Sequence, residues 1–165
     1  MQEKFILIEK NINQEITLYK ELETLYSEKQ GALIDKKVDE LGEIDSKIMK
    51  TFDSIRSLIA NRNKIFSTMY DSSFSLSMLI EESRNIDSDL SKRFEKQKEE
   101  INNLAKSLSE LDFINLELTK FGMKLANKTM QIILSNVQIS TNEYNNQGKV
   151  IGQGQLELSS VNEEV

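Results

Sequence analysis

The chain has 165 residues, 38% hydrophobic and 29% charged, with six glycines, no proline and a formal net charge of −6. This is about one domain of helical composition, and the lack of histidine, cysteine and tryptophan removes the usual catalytic bases, thiols and zinc ligands. Lysines dispersed among a surplus of acids form no basic face for nucleic acid, and the interrupted apolar run Phe5-Ile6-Leu7-Ile8 is too short for a signal peptide or membrane span.

The first expected helix, about residues 2–34, carries Phe5, Ile8, Ile12, Ile16, Tyr19, Leu22 and Tyr26 at three- and four-residue steps. Leu7, Leu18 and Leu25 lie beside that stripe and read as a broad bundle face, and the stripe is expected to run on to Leu33 and Ile34 despite Gly31. After a tight turn, a second helix over about 38–70 presents Leu41, Ile44, Ile48, Phe52, Ile55, Ile59, Phe66 and Met69, with Met49 off the face. Asp71-Ser72-Ser73 then offers side-chain oxygens for a stop and a new cap.

A third helix is expected over about 74–139, flowing through 111–122 without a sharp loop, with Gly122 as its weak point; whether it runs continuous, kinked near 111–122 or folded back stays open. Its row Leu79, Ile86, Leu90, Phe94, Ile101, Leu104, Leu108 and Leu111 runs near a 3.5-residue spacing, interrupted by a polar layer at Gln97. Asp87-Ser88-Asp89 reads as solvated helix surface. At 1.5 Å per residue this helix would outrun its two neighbours by several turns.

Two apolar rows occupy that last stretch. Leu111, Ile114, Leu118, Phe121, Leu125, Ile132 and Ile139 fall on one face, and Leu116, Met123, Ala126, Met130, Ile133, Leu134 and Val137 on another. One row suffices for packing into a bundle, so the other is expected to accept a partner helix. The fold expected is therefore all-α: an elongated antiparallel bundle, or coiled coil, of three long helices. Its domain spans 1–139, with a C-terminal helical extension and a flexible tail at 140–165, where glycines and polar residues replace the apolar periodicity.

Catalysis is not expected. No Glu stands with a histidine three residues on, as a di-metal bundle requires, and the glycines from 148 to 154 neither follow a strand nor open a helix. Adjacent acids such as Glu81-Glu82 and Glu99-Glu100 point about 100° apart and do not converge on a metal. No cofactor and no metal site is expected.

The C-terminal part resembles the FlgN-like flagellar export chaperones. The resemblance lies in 108–118 (Leu-Ser-Glu-Leu-Asp-Phe-Ile-Asn-Leu-Glu-Leu), in Met130-Gln131-Ile132-Ile133-Leu134, and in the tail signature in which Gly148 follows Tyr144 by four positions. Glu28-Lys29-Gln30-Gly31-Ala32-Leu33-Ile34-Asp35, followed by Leu41 and Ile44, looks like that family's first hairpin, whereas Asp112 stands where many members carry asparagine. The resemblance implies a cytoplasmic chaperone of type III export. It would hold the helical terminal segments of flagellar hook-associated (hook-filament junction) proteins and pass them to the cytoplasmic domain of a membrane protein of the export gate. It also implies cargo contact in the C-terminal helix, where the second row supplies Leu116, Met123, Met130, Ile133, Leu134 and Val137, and gate contact at Tyr144 and Gly148. A coiled-coil scaffold or adaptor that self-associates through the same rows is the alternative, and homodimer formation stays open.

Overall fold

The computed structural model describes residues 2–70 and 75–140, with side chains described as far as 135. All the elements described are helices: α1 (Gln2–Ile34), α2 (Val38–Ser67), α3 (Leu76–Arg84) and α4 (Ser88–Ser140). The chain divides into two compact units, Met1–Lys120 and Phe121–Val165.

In the first unit α1 and α2 form an antiparallel hairpin. The C-terminal part of α2 meets the N-terminal part of α1, Asn61 to Asn11 and Arg62 to Glu15, and the N-terminal part of α2 meets the C-terminal part of α1, Thr51 to Glu21 and Asp45 to Lys29. The turn between them is closed by Lys37 N–H donating to Ala32 O (2.9 Å) and Lys36 N–H to Leu33 O (3.4 Å), with Lys36 at φ 59°. That crossed pair of bonds satisfies the orphan carbonyls at the end of α1, and it places lysine in the left-handed conformation glycine usually fills, at a cost of about 1 kcal/mol.

The first 33 residues of α4, 88–120, run parallel to α1, because partners ascend both helices together. Arg93 meets Glu9 (2.7 Å), Gln97 meets Asn13 (2.7 Å), Lys20 meets Glu100 (2.6 Å), Ser107 donates to Glu23, and Asn115 donates to Tyr26 O (2.9 Å). One apolar cluster joins Phe5, Ile8, Ile12 and Ile16 of α1 to Phe66, Leu79, Ile80, Leu90, Phe94 and Leu104. A second joins Leu22, Leu25 and Ala32 to Ile44, Ile48 and Ile55, with Leu108 packed against it.

Much of the expected stripe on α1 and α2 is buried, and Met49 is exposed. Among the flanking leucines, Leu25 is buried and Leu18 half-buried, whereas Leu7 faces solvent. The last buried residue of the stripe is Ala32; Leu33 is half-buried and Ile34 exposed.

The single third helix of 74–139 is corrected to two. Residues 85–87 interrupt it: Ile86 and Asp87 N–H groups both donate to Ser83 O, and Asp87 Oδ1 accepts from the N–H groups of Asp89 and Leu90. Asp87 is thus the N-cap of α4 rather than idle surface charge, since its carboxylate satisfies donors that have no partner inside the helix. The reversal also throws Ile86 off the row, leaving it exposed. The stop expected at Asp71-Ser72-Ser73 lies outside the described residues, and the cap observed at the start of α3 is Ser75, whose hydroxyl accepts from Met78 N–H. α4 is helical without interruption through 111–122, the stretch left open between a continuous and a kinked helix.

Candidate functional site

The spacing that buries α4 in the first unit can be followed residue by residue. Leu90, Phe94, Gln97 and Leu104 are buried, Ile101, Leu108 and Leu111 half-buried, and Asn115 is buried again, at steps of three and four. This is a heptad seam carrying two amides. Gln97 Nε2 donates to Glu9 O and Asn115 Nδ2 to Tyr26 O, so both amides clasp backbone carbonyls of α1, while Gln97 Oε1 and Asn115 Oδ1 find no hydrogen-bond partner. Polar residues at such positions specify alignment at a cost in stability.

Burying Asn115 turns the residues on either side outward. Ile114 and Leu116 are both exposed, as is Phe113. The row expected to be internal is therefore interrupted at Ile114, a point the apolar pattern missed because the residue in contact is an asparagine. The signal was present as a continuation of the three-four spacing from Leu111 to position 115.

In the second unit, every residue from 121 to 135 is exposed. Its large apolar side chains range from 41% exposed at Leu134 to 66% at Phe121, with Met123, Leu125, Met130, Ile132 and Ile133 between. Neither expected row is covered over this span. Phe121, Leu125 and Ile132, which continue the row expected to pack internally, are exposed here too. Of the residues expected to bind cargo, Leu116, Met123, Met130, Ile133 and Leu134 are exposed. Val137 is helical in backbone, with its side chain outside the described part, and Tyr144, Gly148 and the tail segment 141–165 lie outside the described residues altogether.

The grooves of the first unit are shallow and polar-edged. One between α1 and α4 is lined by Glu23, Thr24, Ser27, Ser107, Glu110, Leu111 and Ile114. Among the described residues no group of three or more acids is placed to hold a metal. The most perturbed carboxyl, Glu15, is raised by burial against the lowering pull of Arg62, whose Nη1 lies 2.5 Å from Glu15 Oε2. That pair is locked between α1 and α2, with the Arg62 side chain 12% and the Glu15 side chain 1% exposed.

An exposed apolar helix of this length is chemically suited to hold another amphipathic segment. Comparison with known families agrees: the family model described as FlgN protein matches residues 4–150. The chain belongs to the FlgN family, a family of flagellar export chaperones that act on hook-associated proteins. Comparison with curated proteins and with solved structures gives no significant match. Among the described residues, no helix is long and apolar enough to cross a membrane.

Proposed function

We propose that this protein is a cytoplasmic export chaperone that captures the helical terminal segments of hook-associated proteins on the C-terminal part of α4. It thereby keeps them from assembling early and delivers them to the flagellar export gate. The observation that carries this reading is the exposure of every side chain from 121 to 135. Lone amphipathic helices gain little from intrinsic propensity, so a partner that covers the apolar surface stabilises both chains. Met123, Met130, Ile133 and Leu134 lie on one face and serve as the cargo row, with Leu116 and Val137 assigned to the same face from the sequence. The unbranched methionines suit a surface that accepts related but unequal segments. Tyr144 and Gly148 are assigned to the gate on the family resemblance.

Purified hook-associated proteins mixed with the full chain are expected to co-elute with it on size exclusion. Met130→Asp and Leu134→Asp are each expected to weaken that association at least tenfold, with a melting midpoint within about 2 °C of the parent because both positions are exposed. Failure to bind any such protein would remove the chaperone reading. A tight homo-oligomer that excludes cargo would favour the scaffold instead.

A further inference from the structure

The exposed segment of the second unit is not only apolar; it is electrically unlike the rest of the chain. Residues 118–142 form the longest run without aspartate or glutamate in a protein of net charge −6. Within the described part of the second unit the charged residues are Lys124 and Lys128, both exposed. Neither makes an ion pair among the described residues, whereas Lys20, Lys29, Arg62 and Arg93 of the first unit each meet an acid on a neighbouring helix.

Their placement is specific. Four residues apart on a helix, the two ammonium groups stand on the same side, about 40° from one another. Lys124 is three positions from Phe121, and Lys128 is three from Leu125 and four from Ile132, so both border the row Phe121, Leu125, Ile132. The methionine row, Met123, Met130 and Leu134, lies away from them, with Asn127 and Gln131 on the lysines' other flank. One apolar row thus has a cationic border and the other a neutral one.

We propose that Phe121, Leu125 and Ile132 form a second docking row, and that Lys124 and Lys128 select for it an amphipathic helix with acidic side chains along one edge of its apolar stripe. The inference rests on reading this segment as cargo-binding and adds the row and the charge of its occupant. Charge complementarity favours such a helix over the other occupants. A second copy of the segment would bring lysine against lysine, with no acid of its own to meet them. An anionic membrane is recruited by clusters of about four to eight basic residues, whereas this segment offers two on a chain whose net charge is −6. Opposed charges at the rim set partner choice and association rate more than total affinity, so discrimination should weaken as salt rises.

The test uses the full chain and two designed helical peptides with the same leucine stripe, one edged with glutamate at four-residue spacing and the other with lysine. Fluorescence anisotropy at low ionic strength is expected to show the glutamate peptide binding at least tenfold tighter, the gap closing toward threefold or less at high salt. Lys124→Glu with Lys128→Glu should reverse the preference, and Phe121→Ser with Leu125→Ser should abolish binding of both peptides. Circular dichroism checks that each variant keeps its helix; glutamate is as good a helix former as lysine. Equal binding of both peptides, or a preference that survives the lysine reversal, would overturn the proposal. So would binding to phosphatidylglycerol vesicles with indifference to the peptides. If hook-associated proteins bind and respond to Met130→Asp while the peptides show no charge preference, this inference fails and the chaperone reading stands. If the peptides discriminate but no hook-associated protein binds, the charge-selective row stands with a different partner.

Discussion

Glu15 shows how one side chain in the core sets terms for the rest. It is 1% exposed, in a chain whose carboxylates are mostly solvated, and one of its oxygens, Oε1, has no hydrogen-bond partner. Taking a carboxylate out of water costs several kcal/mol, and a neighbouring guanidinium recovers that only with good geometry. Here burial outweighs Arg62, and the carboxyl is raised above its ordinary value of 4.5. In the range between the ordinary and the raised value the folded state binds more protons than the unfolded one. Glu15 therefore makes stability fall as pH rises through that range, opposite to the usual salt-bridged acid. Arg62→Met should cost about 3 kcal/mol in urea unfolding at neutral pH, because it leaves the carboxylate without its counter-ion. Glu15→Leu combined with Arg62→Met should be neutral or stabilising by about 1–4 kcal/mol and should flatten the pH slope. A double variant as damaged as the single would show that the pair is a net source of stability.

Helix boundaries obey smaller forces than helix faces, and this decides what could be read from the residues. Phe5, Ile8, Ile12 and Ile16 announce a buried stripe because four large apolar groups cannot share one side of a helix in water without being covered. Asp87 announces nothing so plainly. Aspartates on the surfaces of helices are commonplace, and its role depends on two N–H groups being left unpaired by a reversal that apolar periodicity does not report. Asn115 escaped for a related reason: the heptad spacing led to it, but a search for apolar residues passed over it to Ile114 and Leu116, which are exposed. Asp87→Ala should destabilise the protein by about 1 kcal/mol, read as a lower urea midpoint with an unchanged slope. No measurable change would mean that the turn at 85–87 is held by the Ser83 carbonyl bonds and not by the cap.

The two compact units differ in how they meet the hydrophobic effect. Met1–Lys120 has two buried apolar clusters shared among its four helices, although some of its apolar residues, Ile114 and Leu116 among them, are exposed. The described part of Phe121–Val165 leaves every apolar side chain through 135 in contact with solvent. In the sequence this difference appeared as one surplus row. The structure makes it two, because periodicity counts apolar faces and says nothing about how many neighbours exist to cover them. Membership of the FlgN family supplies a reason for such surface to persist in a chaperone of flagellar export, and the lysine border supplies a means of choosing what covers it.

Amide hydrogen exchange, recorded on the full chain with and without a hook-associated protein, tests this account most directly. The account predicts rapid exchange over 121–135 in the free protein, because a helix without tertiary cover opens easily, and at least tenfold slowing there when cargo is added, with the amides of α1 and α2 unchanged. Exchange at 121–135 that is already as slow as in the buried α1 core, or protection on cargo binding that falls on α1 and α2 instead, would contradict it.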